Sequence, residues 1–545
     1  MKYTHLIFLA LWTTSGVTAQ VNFTSSHLPI LVLNTNGQTI PDEPKLNIQA
    51  GLIDNGIGQI NHLTDAYNAF NGTVGIELRG SSSFYYPKSP YSIEFRTTAG
   101  DDLDVEILGL PAESDFALIS PYNDKTLIRD ILAHTFASQA LPWSPRTRLI
   151  ELVLNNQYMG VYTLIETIKR GPNRINIAKL KSDDLTAPDV TGGYILRMDK
   201  YGPPPGGLGG DWQSTYPPVD GGWQQTWFQY HYPKVEDIQP EQSNYIRNHI
   251  QSFENMLKSP SYQTQIEDWI DLDSWVNYLL VQELSKNTDA YRLSAYFYKN
   301  REDAPNGGKI TMGPVWDFNI SFGIGDYCNS MSWSGWAKDF NQVCGNDQWL
   351  IHFWWKKAWE YPHFRQKMAE RWQELRSGPW SDANLEYTID SLVQVIGPAQ
   401  VRNFQRWPII GTYVWPNSFI GSSYQQEIQF LKNWLLARAH WLDTNIIVAA
   451  MTVDPSLKPS AFAIFPNPAS DRIFVQRNSS LPGGGICHFS LHSKEGKFLF
   501  EQRNILAQEL FFIDLPQKES IKGWQAYTFT DIKGNVLDVG WILIQ

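Results

Sequence analysis

Cysteine is scarce in this chain, with three among 545 residues. None of the three stands at a zinc-site spacing, so a zinc-held module is not what organises the fold. Charge is thin as well. Only 18% of residues are Asp, Glu, Lys or Arg, and the acids outnumber the bases to give a net charge of −11. A chain without a basic field displaces few counterions, which argues against nucleic acid as a partner. No run of 18 uncharged apolar residues occurs, so no transmembrane segment is expected in the mature chain. The G-x-S-x-G, H-E-x-x-H and P-loop patterns are missing too, leaving serine-hydrolase, zincin and P-loop NTPase chemistry without support.

Aromatic residues are plentiful, at 14% with 22 Trp. With this length, that predicts a large core and more than one domain. The N-terminus opens on Met1-Lys-Tyr-Thr-His, continues through the apolar run Leu6–Trp12 and reaches small residues before Gln20. This charged start, short apolar stretch and small-residue site predict a signal peptide over residues 1–19, cut after Ala19. The expected location is therefore secreted or at the cell surface. An oxidising compartment would favour bridging Cys328 and Cys344, 16 positions apart; two reduced thiols are the alternative, and Cys487 is left over.

Residues 21–115 read as short strands, among them Leu28–Leu33 and Val74–Arg79. Apolar spacing predicts a helix over 124–140 with an Asp cap. Arg148–Leu154 and Gly160–Ile165 read as a hairpin about Asn155-Asn-Gln-Tyr158. A Gly/Pro-rich loop follows over 201–222. Helices are expected at Gln239–Leu257 and Ile266–Lys286, and again from Trp349 to about Ile447. At Asp454-Pro the character changes, which places a linker at 451–460 and a β-rich C-terminal domain at 461–545.

Two acidic segments carry the chemistry. Asp289, in S285-K-N-T-D289, and Asp317, in G313-P-V-W-D317-F-N, lie 28 positions apart and flank a predicted hairpin, Tyr296–Lys299 with Lys309–Met312. A carboxylate at the edge of an apolar frame often serves a metal, a partner charge or a reacting proton. The plainer alternative is a pair of strand-end aspartates satisfied by backbone amides.

Leu28-P-I, Arg79-G-S-S-S, P-K88-S-P-Y, Asn123-D-K-T-L-I-R129, Leu154-N-N-Q-Y-M-G-V-Y-T-L-I-E166 and the two Asp segments follow in this order. In these blocks, over residues 28–445, the chain resembles the CotH kinase family, the spore-coat-H-like atypical protein kinases, in a Bacteroidetes-type version. The tail, with F465-P-N-P-A-S-D471, resembles a type IX secretion C-terminal sorting domain. The resemblance implies an α+β, protein-kinase-like domain at 21–450 followed by a small sandwich-like all-β domain. It also implies ATP with Mg²⁺ or Mn²⁺, phosphate transfer to Ser or Thr of an extracytoplasmic protein, and the type IX secretion machinery as a partner.

Residue by residue, the resemblance makes Asp317 the metal ligand, with Asn319 and Asp289 beside it. Asp289 is the group that orients or deprotonates the acceptor hydroxyl. Asn287 belongs to the family's N-x-D segment, Lys88 would neutralise phosphate with Glu166 fixing its rotamer, and Arg79 would face phosphate. For Lys88 and Glu166 the plain alternative is a surface lysine and a hairpin ion pair; for Arg79 it is a strand-end turn. Ser294 stands where related kinases carry Asn, Asn319 where they carry an acid, and Ser89 where a second lysine is common. One negative charge is thus missing at position 319, so weaker metal binding and weak activity, or a pseudokinase, are expected. A competing class is a surface glycan-binding or glycan-cleaving protein with Asp289 and Asp317 as acid and base. A third is a non-catalytic surface assembly protein.

Overall fold

The computed structural model describes residues 21–80, 82–200, 211–305 and 307–451, and most of the strands between 462 and 544. The expected signal peptide lies outside the described residues, as do 201–210 of the Gly/Pro-rich loop and 452–461 around the expected linker. The chain mixes helix and sheet and divides into two compact units, Met1–Phe353 with Pro379–Leu435, and Trp354–Gly378 with Leu436–Gln545.

The first unit begins with a closed barrel. Its strands follow the order Thr147–Leu154, Gln157–Glu166, Asp115–Ile119, Tyr91–Arg96, Phe70–Leu78, Leu46–Ile53 and Ile30–Asn34. Parallel pairing of Ile30–Leu33 with Glu151–Leu154 closes the ring, which leaves no free edge. Alternation explains the inside: in Tyr91–Arg96 every second residue is buried, placing Tyr91, Ile93 and Phe95 in the core with Leu31, Ile48 and Leu152. The expected hairpin at 155–158 forms, and Asn155 and Asn156 at its tip both take positive φ, 50° and 63°. That is the conformation a two-residue turn needs to match strand twist.

A second sheet, in the order Trp212–Gln213, Trp227–Tyr232, Tyr194–Met198, Ala295–Lys299 and Ile310–Met312, carries the predicted hairpin, with Phe297 opposite Met312. Three helix expectations need correcting. The one from Trp349 to about Ile447 is broken into separate helices, with none over 407–423 before Tyr424–Met451. The 124–140 helix is Arg129–Ala140, because the Asp124 carboxylate accepts the amides of Thr126 and Arg129 and holds 124–128 as a turn. The 266–286 helix is split into Ile266–Trp269 and Leu272–Ser285. There the Asp271 amide bonds the Ile310 carbonyl at 3.1 Å and its side chain caps Ser274. Leu272–Ser285 is buried on nearly all sides, its Trp275 indole bonded to the Ile310 carbonyl and its Ser274 hydroxyl to the Met312 amide. A helix fixed that firmly gives its C-terminus a defined position.

In the second unit, the helix Pro362–Ser377 is tied to Asp443 through Trp372 and Arg376, each at 2.9 Å. Further on, a three-stranded and a four-stranded sheet share one apolar cluster that includes Phe462, Val475, Phe489, Phe529 and Ile542. Cys487 is buried there as a free thiol. Trp275, Trp354, Trp355, Trp380 and Trp434 are core residues, while Trp223, Trp333 and Trp415 are exposed.

Candidate active site

The helix Leu272–Ser285 ends at Lys286, whose φ of 41° turns the chain out of the helix and into Asn287-Thr288-Asp289. This turn is laced to the segment after Trp316. The Thr288 amide bonds the Ile320 carbonyl at 3.0 Å, the Phe322 amide bonds Ser285 at 2.7 Å, and the Asn287 side chain donates to the Asp317 carbonyl at 3.1 Å. The Asn287 oxygen also accepts the Asp289 amide. Asn287 therefore braces both aspartates from behind, and two residues far apart in sequence face one cavity of about 380 Å³. Lys286, Tyr291, Ser294, Asp317 and Phe322 all have positive φ. Such a conformation costs about 1–3 kcal/mol in a non-glycine residue and tends to collect at functional sites.

Arg79, Asp289, Ser294, Asp317 and Asn319 all line this cavity, as expected from the sequence. Arg79 lies over the Trp316 ring at 5.3 Å. Among the described residues its guanidinium makes no hydrogen bond, so its donors are available to a ligand. The Asp289 carboxylate is held by Arg292 at 2.7 Å. Asp317 has its carboxyl pushed up to about 7, first by burial and then by the like charges of Asp289, Asp130 and Asp199, with Arg79 opposing.

Lys88 and Glu166 are placed differently from the expectation. Lys88 is buried and turned away from the cavity, its ammonium donating to the Val161 carbonyl and, at 2.9 Å, to Asn403. Burial drives its pKa well below that of an ordinary lysine. Glu166 does not pair with it. Its carboxylate takes two guanidinium bonds from Arg146, at 2.7 and 2.8 Å, and one from the Arg146 amide. The barrel strand Gln157–Glu166 offers Lys88 the Val161 carbonyl and the helix Ala399–Arg406 offers it the Asn403 amide oxygen, while Arg146 reaches Glu166 from beside the paired strand.

The cavity also gathers Asp130, His134, Arg197, Asp199 and Lys200, which the sequence reading missed. Asp130 accepts the Phe318 amide on one oxygen at 3.2 Å, and its other oxygen is buried without a hydrogen-bond partner. His134, one helical turn on, is 2% exposed, and its Nε2 has no partner either. Burial lowers its pKa, against the pull of Asp130. Lys200 is exposed at the cavity wall. A signal for Asp130 did exist, since it directly follows the Asn123–Arg129 block.

No group of three or more His, Cys, Asp and Glu side chains among the described residues is arranged to hold a metal ion. Asp130, Asp317 and Asn319 line the same cavity as two carboxylates and an amide, an open set of the kind that would suit a cation whose remaining ligands are phosphate and water. A sequence profile of the family described as CotH kinase protein matches residues 76–442, well over half of the chain. No curated protein matches the chain. Both aspartate segments and the residues that wall their cavity fall inside the matched span, and the chain belongs to the CotH kinase protein family.

Proposed function

We propose that this protein is a secreted, ATP-dependent protein kinase that transfers the γ-phosphate to Ser or Thr of extracytoplasmic proteins. The observation that carries this reading is the convergence of Asp289, Asp317, Asn319, Asp130 and Arg79 on one cavity. Family membership supports the use of ATP and a divalent metal. The residues fit a Mg²⁺ or Mn²⁺ ion. Asp317 carries a charge that its neighbours repel, and Asp130 has an oxygen with no partner; a bound cation would satisfy both. Asp317, Asn319 and Asp130 would hold it, with Asp130 supplying the acid that position 319 lacks. The ion would neutralise charge on the β- and γ-phosphates.

The protein's own groups do the rest. Arg79 and Lys200 offer hydrogen-bond donors and positive charge to phosphate oxygens. Asp289, fixed by Arg292, orients the acceptor hydroxyl and takes its proton as the oxygen attacks. Ser294 adds a hydroxyl at the same wall. Residues 1–19 direct export, and the β-rich tail serves type IX secretion and surface attachment.

The test is to incubate the full chain with γ-labelled ATP and Mg²⁺ or Mn²⁺ and follow autophosphorylation. Asp317→Ala is expected to abolish metal-dependent nucleotide binding, and Asp289→Asn to lower transfer by about 10²-fold with binding retained. Nucleotide binding without transfer by the parent would make the protein a pseudokinase. Absence of binding would reject the reading.

A further inference from the structure

The loop running from Gly325 to Trp349 is closed on itself by the Cys328–Cys344 disulfide, and buried ionic residues bolt it to the Asp289 turn. Lys286, 5% exposed, donates to three loop carbonyls: Asn329 at 2.9 Å, Ser332 at 2.8 Å and Ser334 at 2.6 Å. Glu283, fully buried, accepts the loop amides of Ala337 and Lys338 at 2.8 and 2.9 Å. Arg292 lies between loop and site. It gives one nitrogen to Asp289 at 2.7 Å and another to the Trp349 carbonyl at 3.0 Å and Asp347 at 3.4 Å. Its guanidinium rests on the Phe340 ring at 4.0 Å. Asp347 is in turn anchored beside the disulfide, its amide bonded to the Cys344 carbonyl at 2.9 Å.

We propose that Arg292 is a positioning residue for Asp289, and that the disulfide-closed 325–349 loop is the clamp that holds Arg292 in place. A guanidinium that bridges a carboxylate and a distant loop fixes the rotamer of both. Opening the loop loosens Asp347, Phe340 and the Trp349 carbonyl, and leaves Arg292 held by its Nε bond to the Thr288 carbonyl at 3.1 Å and its bond to Asp289. Reduction by a dithiol supplies the two electrons and two protons that convert the bridge to two thiols, while the dithiol closes into its own disulfide. The site is therefore complete only in the oxidised protein.

The experiment compares the full chain oxidised, reduced with a dithiol, and as Cys328→Ser/Cys344→Ser, Asp347→Asn, Arg292→Ala and Arg292→Lys. Backbone hydrogen exchange over 285–294 is read on every form. Exchange there is expected to quicken about tenfold or more on reduction, while the barrel strand Phe70–Leu78 stays protected. Protection at 285–294 that is unchanged after reduction overturns the proposal. A second readout rests on the kinase reading. Loss of the clamp is expected to lower kcat by about 10–100-fold with KM for the nucleotide within twofold, and Arg292→Lys is expected to recover part of it. Equal losses in kcat and nucleotide affinity would also overturn it. If the parent transfers no phosphate while 285–294 responds to reduction, the clamp stands and the kinase reading falls. Asp347→Asn, at the loop's partly exposed edge, covers the case in which Arg292→Ala does not fold.

Discussion

Asp317 and Lys88 show opposite uses of burial. Burial and three neighbouring acids raise the Asp317 carboxyl to about 7, so between pH 4 and 7 the folded protein holds a proton that the unfolded chain releases. That contribution is full below about pH 4 and is lost as pH rises through 7. In chelator at pH 8, Asp317→Asn should therefore be more stable than the parent, on the order of 2 kcal/mol after allowing for solvent in the cavity. The advantage should vanish at pH 4, and thermal melts at both pH values check it. Added Mn²⁺ should raise the parent's melting temperature and leave the variant's unchanged. Lys88 points the other way, bound to Val161 and Asn403. Lys88→Met is expected to keep nucleotide affinity within twofold by calorimetry, and a tenfold loss would return Lys88 to the phosphates.

Helix Pro240–Lys258 carries a half-buried histidine, His249, packed between Tyr245 and Trp269 with its Nε2 buried and unpartnered. Burial, with Lys299 adding to it, lowers its pKa to about 3. The unfolded chain takes up a proton near pH 6.5, which the folded chain refuses until about 3. Stability from this group is thus full above pH 6.5 and is lost as pH falls toward 3, on the order of a few kcal/mol in all. His249→Phe should flatten the acid side of the melting curve between pH 6.5 and 4. An unchanged slope would place the acid sensitivity elsewhere, His231 being the next group to examine, with its pKa lowered to about 4 by burial. The Cys328–Cys344 loop belongs to the same scale. Its closure removes about 3 kcal/mol of unfolded-chain entropy in the loop-entropy account, so reduction should lower the melting temperature as well as loosen the Asp289 turn.

At the scale of the molecule, the β-rich tail has an apolar core of its own, drawn from both of its sheets. The cavity is lined entirely by residues between Arg79 and Asn319. We infer that the tail serves export and attachment and leaves the chemistry alone. Removing residues 461–545 should leave Mn²⁺-dependent nucleotide binding unchanged and strand the protein in the periplasm. Fractionation of cells checks the second outcome, and normal surface display of the truncated chain would refute it.

Much of this was legible in the chain. Alternation in Tyr91–Arg96, the Asn155-Asn156 turn and the apolar hairpin beside Asp289 are local patterns, because side-chain direction and turn geometry are set within a few residues. Asp289 and Asp317 were legible from residue type, since a carboxylate in an apolar frame has few stable fates, whereas Arg79, Asn287, Ser294 and Asn319 were reached only through the resemblance to CotH kinases. Sequence could not determine which groups meet. Lys88 turns inward because Asn403, 315 positions away, waits for it, and Glu166 is taken by Arg146 across a strand pair. Asp130 and Asp199 join the site only once the helix Arg129–Ala140 and the strand Tyr194–Met198 are packed around it. The residues fixed what chemistry was on offer. Tertiary packing decided which charges face one another, because electrostatic and hydrogen-bond energies depend on distances that only the folded chain defines.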